Sequence, residues 1–170
     1  MLVYNPKRRY SAVVMFSDDL EHVLLIHKLK PDWQAGKANF PGGKVEERDF
    51  SPNTDAYAFC ATRELAEETG IFLGVAQLKL FCRLRFTSRE GDEAECCFFT
   101  ARGPVFDAQT KEVEQVFTAE VHEVIWDEAG YYKMGLAPYV HVPVMPELPW
   151  LAAMAKEALE TNCAPRTVYQ

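Results

Sequence analysis

The chain is apolar and rich in β-branched residues from Tyr10 to Phe16, which predicts a strand. Ser17-Asp18-Asp19-Leu20-Glu21 reads as a turn, and Val23-Leu24-Leu25-Ile26 resumes the apolar run, which predicts a hairpin. Residues 28–38 are polar and irregular around Trp33. Phe40-Pro41-Gly42-Gly43 follows, where two glycines permit a tight turn or a close approach of backbone to a ligand. Residues 46–53 are charged, with Pro52 near the end, and read as a loop. Thr54 or Asp55 is placed to N-cap a helix over 55–69, with Ala58, Ala61 and Leu65 as its inner stripe and Gly70 as its stop. Residues 78–86 and 93–101 read as a second hairpin turning at Ser88-Arg89-Glu90-Gly91-Asp92. Residues 116–126 predict a further strand, and Pro146-Glu147-Leu148-Pro149 opens a final helix over 150–159. Strands dominate and two helices accompany them, so the economical architecture is α/β, a mixed sheet flanked by helices.

Composition narrows this picture. A chain of 170 residues suits one domain spanning 1–170, and 48% hydrophobic with 25% charged residues is an ordinary globular balance. No apolar run is long enough to span a bilayer, and residues 1–9 lack the apolar core of a signal peptide, so a cytoplasmic protein without membrane contact is expected. The net charge of −7, with no evident basic patch, argues against gripping a nucleic acid polymer. An acidic protein can still take a small polyanion when metal ions screen the contact. The five cysteines are odd in number and form no CxxC pair, so neither a disulfide framework nor a zinc site is suggested.

The chemistry concentrates in Arg63-Glu64-Leu65-Ala66-Glu67-Glu68-Thr69-Gly70. Helical residues three and four apart are neighbours, so Glu64, Glu67 and Glu68 project from one face. That face repels itself at neutral pH unless a cation sits on it. Hard oxygen donors on a rigid helix suit Mg²⁺ or Mn²⁺, and those ions point to chemistry on phosphates.

The order Gly43 … Arg63-Glu64-Leu65-x-Glu67-Glu68-x-Gly70-Ile71 resembles the signature of the Nudix hydrolases, G-x5-E-x7-R-E-U-x-E-E-x-G-U with U aliphatic. The second half matches at every specified position. In the first half, the sixth residue after Gly43 is Asp49 and the eighth before Arg63 is Asp55, and the gap between Gly43 and Arg63 is six residues longer than the signature allows. An insertion within 46–54 accounts for the gap, because loops lengthen at small entropic cost, and it leaves Asp55 in the glutamate position.

The resemblance implies a Nudix-like α/β/α sandwich with a mixed β-sheet and hydrolysis of a pyrophosphate bond in a nucleoside diphosphate derivative. It implies that Glu64, Glu67 and Glu68 hold Mg²⁺ or Mn²⁺, helped by the backbone carbonyl of Gly42. Arg63, Glu64 and Glu67 are then the catalytic set, with Arg63 orienting a neighbouring glutamate. The general base is one of the three glutamates or a loop glutamate among Glu90, Glu93, Glu95, Glu112 and Glu114. Lys44 is a candidate for phosphate contact, and Trp33 and Phe40 are candidates for stacking on a base. The expected substrate is a nucleoside triphosphate, or a modified one, cleaved to monophosphate and pyrophosphate. ADP-ribose, a dinucleoside polyphosphate, NADH and coenzyme A are alternatives, although residues 71–89 contain no Pro or Tyr and the SQPWPFPxS array is absent. A non-catalytic nucleotide-binding regulator is a further alternative. A homodimer is compatible with the family.

Overall fold

The computed structural model describes residues 5–32, 34–110, 115–125, 131–134 and 140–170, with backbone alone for 131–134 and 140–142. Strands β1 (Arg8–Phe16) and β2 (His22–Lys28) form the expected hairpin, followed by the short β3 (Lys37–Asn39) and β4 (Gly42–Lys44). Helix α1 (Ala56–Thr69) leads to the second hairpin, β5 (Lys79–Thr87) and β6 (Glu93–Arg102). Then come β7 (Gln115–Glu120), α2 (Val121–Ile125), the pair β8 (Tyr131–Met134) and β9 (Val140–Pro143), α3 (Leu148–Thr161) and β10 (Arg166–Tyr169).

The main sheet runs β10-β5-β6-β1-β2-β3, with β4 added on β1 and β7 on β2. It is mixed: β1 runs parallel to β6 and β10 parallel to β5, while the other pairs are antiparallel. Helices cover both faces, which explains why β1 is apolar without alternation. Val13 and Met15 pack with Ala58, Ala61 and Leu65 of α1 on one face. Ala12, Val14 and Phe16 pack with Leu151, Ala152 and Ala155 of α3 on the other. Burying a side chain such as Leu65, fully enclosed here, stabilises by about 1.5–3 kcal/mol. Among the described residues, no helix is long and apolar enough to cross a membrane.

Several details differ from the sequence-based expectation, among them the unexpected short strands β3, β4 and β10. Residues 116–126 do not continue as one strand: β7 ends at Glu120 and α2 follows, because Val121 and Val124, three apart, are both buried as on a helix turn. A third helix therefore joins the two expected; Trp126 lies outside the described residues. The last helix starts two residues earlier than expected, with Pro149 inside its first turn.

Helix α1 starts and stops as its sequence dictates. Asp55 accepts the Tyr57 N–H at 2.9 Å, and Gly70 ends the helix at φ 70°, a left-handed position that suits a residue without Cβ. Asp55 is exposed and serves as a cap. Replacing it in Asp55→Ala is expected to cost about 1 kcal/mol, the loss of one capping bond, with turnover unchanged. Urea melts and a steady-state assay check both halves of that expectation.

Candidate active site

The site is assembled where β4 passes between β1 and α1. Strand β4 pairs with β1 through Ala12↔Gly42 and Ser11↔Gly43. A Cβ at Gly42 would overlap the Ser11 carbonyl and Ala12, and a Cβ at Gly43 would overlap the carboxylate of Glu64. The two glycines thus allow the strand to lie directly against the acidic face of α1.

Arg63 organises that face. Its Nε and Nη2 donate to the two oxygens of Asp49 at 2.8 and 2.9 Å, a bidentate pair. Nη1 donates to Glu64 Oε1 at 2.7 Å and to Glu67 Oε2 at 2.8 Å, and Nη2 also donates to the Lys44 carbonyl at 3.2 Å. Asp49 is only 2% exposed, and its second oxygen also accepts the Glu46 N–H at 2.8 Å. Burial alone would push its carboxyl up, but the bonds from Arg63 and Glu46 outweigh burial and hold it below the usual carboxylate range.

This pairing corrects the alignment drawn from counting. Asp49, six residues after Gly43, occupies the position facing the arginine, whereas Asp55 is a solvent-exposed cap. The six extra residues lie after Asp49, in the exposed segment 50–55 that leads into α1.

The three glutamates have different surroundings. Burial pushes the Glu64 carboxyl up, with Arg63 opposing. Glu67 is the most open of the three and also meets Arg48 at 3.2 Å. Glu68 is buried: Oε2 accepts the Gly42 N–H at 2.8 Å, and Oε1 lies 2.9 Å from the ammonium of Lys28. The Lys28 ammonium also donates to the Gly42 carbonyl. Burial raises the Glu68 carboxyl despite Lys28. Two glutamates therefore lean toward Arg63 and one toward Lys28. Among the described residues, the three ligand atoms that converge within 4.8 Å of one another belong instead to exposed Glu120, His122 and Glu123.

The donor set suits a hard divalent ion. It consists of carboxylate and carbonyl oxygens on a rigid helix and strand, and two of its members, Glu68 and the Gly42 carbonyl, already hold a cationic group. The neighbouring thiol of Cys60, 3.8 Å from the Gly43 carbonyl, is pushed up by burial and so stays protonated.

A cavity of about 360 Å³ opens beside Gly43 and Lys28 on the α3 face of the sheet. Its wall is apolar, with Leu84, Phe86, Phe98 and Leu151, and its polar lining includes Gln34 and Asn39, where the Asn39 amide donates to the Gln34 amide oxygen at 3.4 Å. Glu90, on the β5–β6 turn, also lines it and pairs with Arg8 at 3.4 Å. Glu95, another loop candidate, is instead inside β6 and buried, bound to the Tyr57 hydroxyl at 2.9 Å and to Arg85 at 2.8 Å. Glu93 is exposed at the start of β6, and Glu112, Glu114 and Trp33 lie outside the described residues. Phe40, a candidate for base stacking, is 1% exposed within the α3-side core, where it has no free ring face to offer. Lys44 is exposed, and neither it nor Phe40 lines the cavity.

Lys28 and Asp49 are the site residues that the sequence reading missed. Lys28 stands at the end of an apolar strand and looks like the first residue of a polar loop. Asp49 did carry a signal, its distance from Gly43.

Residues 6–138 match the family model described as NUDIX domain. No curated protein matches the chain. The fold is similar to that of the NUDIX domain of Shewanella oneidensis NrtR complexed with ADP ribose, with TM-score 0.66 and 18% identity over 92% of this chain and 90% of that one. It is similar to a NUDIX hydrolase from Alicyclobacillus acidocaldarius, with TM-score 0.65 and 14% identity over 94% and 98%. S. oneidensis NrtR complexed with a 27mer DNA matches with TM-score 0.62 and 19% identity over 88% of this chain but only 61% of that one. At these identities the structural likenesses carry the fold alone.

Proposed function

The chain belongs to the Nudix family and is a Nudix-type hydrolase of nucleotide pyrophosphate bonds, and from that premise we propose that its substrate is a nucleoside triphosphate, or a modified one, cleaved to monophosphate and pyrophosphate. The observation that carries this reading is the position of the cavity. An apolar pocket of about 360 Å³, the size for a single small ligand, adjoins Gly43 and Lys28, whose ammonium reaches Glu68 of α1.

In this reading Glu64, Glu67, Glu68 and the Gly42 carbonyl hold Mg²⁺ or Mn²⁺. The bound ion supplies charge neutralisation of the phosphate oxygens and a lowered pKa for water. Arg63 keeps Glu64 and Glu67 oriented, and its own nitrogens are too fully engaged to reach a substrate. The apolar wall receives the base, and Gln34 and Asn39 lie where its polar edge needs partners. Glu90 is our choice among the loop glutamates for the base that takes a proton from the attacking water, because it lines the same cavity.

A second reading, ADP-ribose as substrate, is favoured by one observation: the NUDIX domain of S. oneidensis NrtR, of the same fold, is complexed with ADP ribose. Mg²⁺-dependent formation of nucleotide products, resolved by chromatography, across a panel of nucleoside triphosphates, ADP-ribose and dinucleoside polyphosphates separates these readings. The expected result is preferential turnover of a triphosphate with pyrophosphate as product, abolished by EDTA and strongly reduced by Glu90→Gln. Turnover of ADP-ribose alone would reject the triphosphate, and inactivity on every substrate would favour a nucleotide-binding regulator.

A further inference from the structure

A buried ammonium needs partners, because desolvating an unpaired charge costs several kcal/mol. Lys28 is 9% exposed and closes β2 with its side chain directed at the site. Its partners are the Gly42 carbonyl and Glu68 Oε1, the latter at 2.9 Å. Both belong to the donor set assigned above to the divalent ion. The other Glu68 oxygen is committed to the Gly42 N–H at 2.8 Å, so the carboxylate is fixed in rotation and faces Lys28 with one oxygen only.

A magnesium or manganese ion binding this carbonyl and this oxygen would sit roughly 2.0–2.2 Å from each. An ammonium bonded to the same two atoms stands in that space. Two cations a few ångströms apart in a buried site repel strongly. They cannot share the pair, so one excludes the other.

We propose that Lys28 is a resident cation that occupies the Gly42–Glu68 pair in the metal-free protein and competes with the divalent ion for it, giving way into the adjoining cavity when the ion binds. The proposal rests on the metal-holding role given to Glu68 and Gly42 above. The exit is already present: Lys28 lines the cavity together with Ser11, Asn39 and Gly43. Its flexible four-carbon stem lets the ammonium change place by rotation of the side chain. The lysine thus stabilises the acidic pocket before metal arrives and lowers the affinity of the free protein for metal.

The test is direct Mn²⁺ titration, with free Mn²⁺ read by electron paramagnetic resonance, on the wild type, Lys28→Met, Lys28→Gln and Lys28→Arg. Removing the competitor is expected to tighten Mn²⁺ binding at least about fivefold in the Met and Gln variants and to leave the Arg variant near wild type. Melting curves give a second readout: the neutral variants melt lower than wild type in EDTA and gain more from saturating Mn²⁺. Neutral variants that fold only with Mn²⁺ present would also support the exchange. Equal or weaker Mn²⁺ affinity in the Met and Gln variants, or failure of both to fold even with Mn²⁺, overturns it. A wild-type protein that takes up no Mn²⁺ overturns the metal-holding role itself, and this proposal with it.

Discussion

Glu67→Gln is expected to lower turnover by about a hundredfold or more while leaving the protein folded, a loss of roughly 2.7 kcal/mol of barrier lowering. The substitution removes charge and little else. The amide oxygen still accepts from Arg63, which reaches Glu67 at 2.8 Å in the native protein. Glu67 is also the most exposed member of the trio, so the change leaves no buried group without a partner. Its ion pairs with Arg63 and Arg48 are partly open to solvent and contribute little to stability. A drop in kcat therefore reports on metal holding rather than on folding. Steady-state kinetics at saturating Mg²⁺, together with a melting curve, checks it, and wild-type turnover would remove Glu67 from the catalytic set.

Asp49→Ala is expected to damage both the fold and the activity. The substitution deletes a 2% exposed carboxylate and leaves a largely buried guanidinium without its bidentate partner. Breaking a buried pair from one side costs about 3–5 kcal/mol, or roughly 6–20 °C of melting temperature for a chain of this size. The Glu46 N–H loses its acceptor as well. Arg63 then keeps Glu64, Glu67, the Lys44 carbonyl and a long contact to the Cys60 sulfur, so the two glutamates lose a fixed anchor and turnover falls with stability. The contrast with Asp55→Ala is the decisive comparison. If the Asp55 variant proved the more damaged of the two, Asp55 and not Asp49 would be the true partner of the arginine face.

The sequence was informative where the signal is local. Strands β1, β2, β5 and β6 announce themselves by apolar runs, and α1 by its stripe, cap and glycine stop. The face shared by Glu64, Glu67 and Glu68 follows from helical spacing alone. What escaped depends on partners far along the chain. Strand β10 has the exposed pattern of Arg166–Tyr169 and exists through its pairing with β5, which no local pattern encodes. Strand β4 has glycine at two of its three positions and is defined by its neighbour β1. Counting along the chain revealed extra residues between Gly43 and Arg63 but not which aspartate precedes them. Only the contact between Asp49 and Arg63 decides that. Lys28 was hidden for the same reason, since nothing near it in sequence predicts Glu68 as its partner.

The acidic face of α1 and the cavity lie on opposite sides of the main sheet and meet at Gly43 of β4 and Lys28 of β2. In the proposed function metal holding falls to the α1 layer, while the cavity layer receives the ligand and supplies Glu90. Exchanges at Leu84, Phe86, Phe98 or Leu151 are expected to change which guest fits, at some cost in packing, while the arginine hub lies on the other side of the sheet. Selectivity would then be retuned from the α3 side with the metal-holding helix left in place.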